Sequence, residues 1–136
     1  MQPSLSSDQE FLAETTRRFL GDKANSSVLR DLRYNATGYD PAYWRQGCEL
    51  GWTSLLVSEA DGGGSITGEG ITDLALLAYE IGRSAAPGPL ITTNVVADTI
   101  SRVGSDDQKS AVLPGLLSGE LIASWAFAEA APTAGL

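Results

Sequence analysis

The sequence predicts an all-α fold: an orthogonal or antiparallel bundle of five to six helices, closing on a single strand. Three observations predict it. Apolar residues recur at helical spacing in successive segments, so each segment has one face to bury. Ser, Asp, Pro and Gly stand where such helices would start and stop. Only one stretch, "LIASWAFAE" (121–129), reads as a strand, because it is short, apolar and preceded by a glycine stop.

The elements follow in chain order. Ser7 and Glu10 suit a capping box ahead of the first helix. Phe11, Leu12, Thr15 and Phe19 then share a helical face, and Gly21 is the expected stop. Residues 26–34, "SSVLRDLRY", predict a short second helix with Val28, Leu29 and Leu32 as its apolar side. "NATG" (35–38) is a loop. Asp40 followed by Pro41 gives an N-cap with proline at the first helical position. The third helix carries Tyr43, Trp44 and Cys48 and stops at Gly51.

"GWTSLLV" (51–57) reads as a buried connector, and "SEADGGGSITGEG" (58–70) as a glycine-rich loop. In the long helix that follows, Ile71, Leu74, Ala75, Ala78, Ile81 and Ala85 repeat at helical spacing, and "PGP" (87–89) breaks the run. The next helix carries Ile91, Val95, Val96, Thr99, Ile100 and Val103 up to Gly104. Ser105 and Gln108 form a second capping box. That helix runs to about Leu117, with Pro114 expected to kink or split it.

Bulk composition narrows the function. With 136 residues, one domain with a real core is the natural prior. The formal net charge of -8 argues against nucleic acid, whose phosphates need clustered Lys and Arg. There is no histidine and one cysteine, Cys48, which excludes a His/Cys zinc site, a triad with a histidine base and an internal disulfide. No metal site is expected. "MQPSLSSDQEF" lacks a basic start and an apolar run, and no segment is long and apolar enough to span a membrane, so a cytoplasmic setting without membrane contact is expected. Seven arginines to two lysines, with abundant alanine, would suit a bacterial source.

The residues taken singly carry little chemistry. The glycines at 62–64 lack the Lys–Ser/Thr pair of a phosphate loop and the strand–loop–helix setting it needs. Asp106 and Asp107 suit a helix's first turn for dipole reasons alone. Glu59 and Asp61 are too few ligands for a cation. Trp44, Trp52, Tyr43 and Tyr79 read as core or interface, and Cys48 as an inert buried thiol. No catalytic residue emerges.

Three blocks add a resemblance. "YDPAYWRQGCELGWTSLLVSEADGGGS" (39–65), "AYEIGRSAAPGPL" (78–90) and "GSDDQKSAVLPGLLSGELIASWAFAE" (104–129) resemble, in order and spacing, motifs of the acyl-CoA dehydrogenases. In the last block these are Gly-Ser-x-x-Gln-Lys, Leu-Pro-x-Leu and Ser-Gly-Glu. "LSSDQEFLAETTRRFL" is similar to the first helix of that family. The resemblance implies an FAD-dependent oxidoreductase that dehydrogenates the Cα–Cβ bond of acyl-CoA thioesters in fatty-acid or related acyl catabolism. It implies a helical N-terminal domain over 1–120 and the start of a middle β domain over 121–136. The terminal strand is then the first strand of a β domain that this chain lacks.

By the same resemblance, the catalytic glutamate belongs to a C-terminal bundle, so no acid here is assigned that role, and the chain alone is expected to be inactive. Trp125, Phe127 and Ala128 take the positions that touch FAD. Ala128 stands where the family usually has Thr or Ser, and "EAAPTAGL" lacks the usual Glu-Pro and Gly-Ser. Leu90, Ile91, Asn94 and Val95 fall on the helix beside the acyl pocket. Implied partners are the acyl-CoA substrate, other dehydrogenase subunits in a homo- or hetero-oligomer, and an electron-transfer flavoprotein. The alternatives are a non-catalytic subunit or interaction module of a heteromeric dehydrogenase, and a stand-alone acyl-binding bundle.

Overall fold

A computed structural model describes residues 5–32 and 34–126. They form six α-helices: α1 (Ser7–Lys23), α2 (Ser26–Leu32), α3 (Pro41–Glu49), α4 (Gly70–Arg83), α5 (Leu90–Val103) and α6 (Asp106–Ser118). A single 3₁₀ turn, Glu59–Asp61, interrupts the loop between α3 and α4. The all-α class is as the periodicity predicts. Helix α1 packs along α4, α5 along α6, and α3 meets the end of α6.

Several boundaries differ by a residue or more, for local reasons. The box on α1 is Ser6 with Gln9, not Ser7 with Glu10: the Gln9 amide donates to Ser6 Oγ, and the Ser6 amide to Gln9 Oε1. Gly21 does not stop α1, which continues to Lys23. The box at Ser105 and Gln108 is as expected. Pro114 lies inside α6 and neither splits it nor ends it. Proline removes one helical donor, the one Ser110's carbonyl would receive. Both residues are exposed, so that carbonyl has water instead.

Two apolar clusters make the core. The first gathers Leu20, Tyr43, Trp44, Cys48, Trp52, Leu55, Leu77 and Leu90. Phe19 stacks on Tyr43 at 5.8 Å and meets Trp52 edge-on at 5.4 Å, and Trp52 meets Trp44 at 6.3 Å. Such aromatic pairs add about 0.5–1.5 kcal/mol each beyond area burial. The connector 51–57 is buried as the sequence suggests, at Trp52, Thr53, Leu55 and Val57. The second cluster joins Val57, Ala97, Leu113 and Leu116, with Ala123 packed against it.

The inward side of α4 is only partly the face that apolar spacing selects. Leu74, Ala78 and Ile81 pack against the first cluster as expected, but the fully buried residues are Asp73, Leu77 and Glu80, and Ile71 is exposed. Each buried acid has its partners. Asp73 accepts from the Thr67 hydroxyl at 2.9 Å, and Glu80 accepts from Arg17 and Arg83. A paired charge can occupy an inward position that an apolar count assigns to a hydrophobe.

Residues 121–126 form neither helix nor a ladder-paired strand. A strand needs a neighbour to complete its ladder, and none exists among the described residues. The rest of the predicted 121–129 strand lies outside them.

Candidate functional site

Helix α5 carries the candidate acyl-pocket residues, and its buried side explains its position. Leu90 is buried in the first core cluster. Asn94 is fully buried, and its Nδ2 donates to Trp52 O at 2.8 Å and to Leu90 O at 3.0 Å. That side chain ties the first turn of α5 to the tryptophan-bearing connector. Its Oδ1 has no partner among the described residues. Ile91 is 51% exposed and Val95 half-buried. The four candidates therefore divide: Leu90 and Asn94 face the core, while Ile91 and Val95 face outward or sideways.

Trp125, in the segment that follows α6, is 60% exposed and lies beside α5 at Val96, Thr99 and Ile100. With Ser124 and Ala126 it lines an open cavity of about 320 Å³ together with Val96, Thr99 and Ile100. Thr99 Oγ1 donates to Val95 O at 2.7 Å, so its hydroxyl is already engaged within α5. The floor is accordingly apolar, and the rim carries a half-exposed aromatic ring. Phe127 and Ala128, the other two candidates for flavin contact, lie outside the described residues.

Whether these residues fit a flavin is decided by what surrounds the ring. An exposed indole above an aliphatic floor suits one side of a flat ring system, since aromatic faces stack and aliphatic side chains fill beneath. No Lys or Arg lines the cavity to hold phosphates. The described residues fit an edge of the isoalloxazine and not the whole cofactor.

A second cluster fixes α5 from behind. Asp61 Oδ2 accepts from Ser101 Oγ at 2.7 Å, Ser58 Oγ at 2.8 Å and Lys109 Nζ at 3.2 Å. The hydrogen bond from Ser101, then that from Ser58, holds this carboxyl below the usual carboxylate range. One acid thereby joins the glycine-rich loop to α5 and α6. Local sequence gives no hint of it, because its partners lie 40 and 48 residues downstream.

Cys48 is buried, and burial pushes its thiol up, leaving little thiolate to react. Burial also pushes the Tyr43 phenol up. Among the described residues no group of three or more His, Cys, Asp and Glu side chains is placed to hold a metal ion. No helix among them is long and apolar enough to cross a membrane. Sequence reasoning missed Val96, Thr99 and Ile100 as cavity residues. They carry only the apolar spacing of any packed helix, and the segment that meets them follows α6.

Known proteins resemble this chain in sequence and in fold. The acyl-CoA dehydrogenase N-terminal domain matches residues 6–120. The acyl-CoA dehydrogenase IpdE2 of Mycolicibacterium smegmatis is 28% identical over 119 residues, covering 87% of this chain and 37% of that protein. FadE12 of Mycobacterium tuberculosis is 35% identical over 97 residues, covering 68% of this chain and 23% of that protein. A solved structure titled "Tcur3481-Tcur3483 steroid ACAD G363A variant" superposes with a TM-score of 0.72 at 31% identity, over 85% of this chain and 31% of that one. The chain thus spans 37% or less of each of these relatives. With the helical fold, the matched domain and these relatives together, the chain belongs to the acyl-CoA dehydrogenase family, as its N-terminal helical domain.

Proposed function

We propose that this chain forms the N-terminal wall of a flavin-dependent acyl-CoA dehydrogenase site and is not active alone. The observation that carries the reading is the meeting of Trp125 with α5 across one apolar cavity. The residue assigned to the flavin and the helix assigned to the acyl chain thereby share a boundary. In this reading Ile91 and Val95 face the acyl chain, Leu90 and Asn94 fix the helix from the core side, and Trp125 covers the flavin edge. Phe127 and Ala128 are proposed as further flavin contacts on the resemblance alone. FAD, when bound, would accept the hydride from the β carbon. The base that removes the α proton lies in residues beyond this chain. An electron-transfer flavoprotein is the proposed acceptor from the reduced enzyme, in a cytoplasmic setting.

A second reading has its own observation. Ala128 stands where the resemblance expects Thr or Ser, so position 128 offers no side-chain hydroxyl to a flavin. The similar solved structure bears a paired name and a steroid designation. We propose, as this alternative, a non-catalytic subunit of a heteromeric dehydrogenase, with a bulky steroid-derived thioester among its candidate substrates.

Substitution inside the cavity tests the first reading. Thr99→Trp fills the space between α5 and Trp125 without touching the buried core. In the assembled enzyme it is expected to raise KM for acyl-CoA or to release flavin while the fold persists. Unchanged KM and flavin content would remove α5 from the site.

A further inference from the structure

The route of the chain between α6 and Trp125 is built around two residues. The Leu121 amide donates to Gly115 O at 2.9 Å. The Leu121 side chain also lies over the Gly115 Cα. A Cβ at position 115 would meet Leu121 Cγ and Cδ1 at 2.6 Å and its Cβ at 3.3 Å. The turn between them requires Gly119 twice over. Its φ is +76°, and a Cβ there would fall 2.7 Å from Cys48 Sγ and 3.2 Å from the Trp44 ring. Ser118 Oγ also donates to Gly115 O, at 3.2 Å. The chain therefore leaves α6 bent back on its own last turns. Two residues later Ala123 packs on the second core cluster, and two after that Trp125 reaches the α5 cavity.

We propose that Gly115 and Leu121 form a seat that sets the path of the chain leaving α6, which makes Gly115 a positioning residue for Trp125. A glycine inside a helix ordinarily gains stability on replacement by alanine, because glycine loses more backbone freedom on folding. Here the missing side chain is the socket into which Leu121 fits. The importance of the seat for the cofactor rests on the reading that Trp125 covers the flavin. The seat itself does not.

The test is made on this chain without cofactor, by nuclear Overhauser contacts from the Trp125 indole to the Val96 and Ile100 side chains. Gly115→Ala is expected to abolish these contacts and to speed amide exchange at Leu121, with the melting temperature little changed. Gly115→Ala/Leu121→Ala is expected to restore the contacts, since two small side chains share the space that glycine and leucine filled. Leu121→Asp, at a 45% exposed position that does not threaten the core, is expected to lose them as Gly115→Ala does. Persistence of the contacts in Gly115→Ala, or their absence from the double variant, overturns the proposal. If the contacts behave as expected but Trp125→Ala leaves flavin retention by the assembled enzyme unaltered, the flavin reading fails and the seat stands.

Discussion

Arg17 of α1 holds Glu80 of α4 through two hydrogen bonds, Nη2 to Oε1 at 2.6 Å and Nε to Oε2 at 3.2 Å. The carboxylate is 3% exposed, and Arg83 completes its shell at 3.2 Å from Oε2. Arg83 also lies over the Tyr79 ring, 5.9 Å from its centre. The forked geometry matches a carboxylate at both oxygens, so this acid occupies the α1–α4 interface as a paired group.

The pairing makes stability depend on acid. The Arg17 hydrogen bond, against the cost of burial, holds the Glu80 carboxyl below its ordinary range. A depressed carboxyl contributes stability above its unfolded value, which is lost as pH falls through the folded one. Glu80→Gln should therefore lower Tm at neutral pH by roughly 3–6 °C. The gap to the natural chain should narrow as pH drops below about 4 and close once Glu80 is protonated in both states. Melting curves from pH 7 to 2 check this. A pH-independent gap would mean that the loss is packing and not charge.

Gly47 of α3 lies against the Trp52 ring, and a Cβ built on it would fall within the indole. Trp52 is 1% exposed and touches Phe19, Tyr43 and Trp44, so it has no free direction in which to move. Gly47→Ala should destabilise by about 1–3 kcal/mol, the usual cost of overpacking. Urea denaturation followed by tryptophan emission measures it. A neutral result would mean that α3 slides along the connector at little cost.

Ala85 is a residue that should improve on replacement. It follows α4 at φ +49°, where the Ala86 amide donates to Ile81 O and the Ala85 amide to Gly82 O. These bonds form a Schellman end, whose left-handed position favours glycine. Ala85→Gly should stabilise by about 0.5–1 kcal/mol, because relief of the left-handed strain exceeds glycine's entropy cost. A rise in Tm of about 2–4 °C is expected by calorimetry.

Legibility in the sequence followed the range of the interactions. Capping at Ser105 and Gln108 and the proline start at Pro41 depend on neighbours within a few residues, and the 51–57 connector is a short, mostly apolar run, so each was readable. The fully buried side of α4 was not, because Asp73 and Glu80 are acidic residues. Their acceptability inside depends on Thr67 and on Arg17, which lies 63 positions away. Likewise Ile71 fits the helical period yet is 75% exposed, since no described element covers it. At the candidate cavity, α5 was readable as a helix. That Val96, Thr99 and Ile100 meet Trp125 depends on the turn at Gly119, whose tertiary reason is the pair Cys48 and Trp44.

The most direct test of the central claim is the visible spectrum of the purified assembly that carries this chain in its cells, recorded anaerobically before and after a saturated acyl-CoA is added. The account predicts a flavin band that bleaches on addition, and a weaker or absent band in the Trp125→Ala assembly. An assembly without flavin, or a flavin that no acyl-CoA reduces, would contradict the assignment of this chain to a dehydrogenase site.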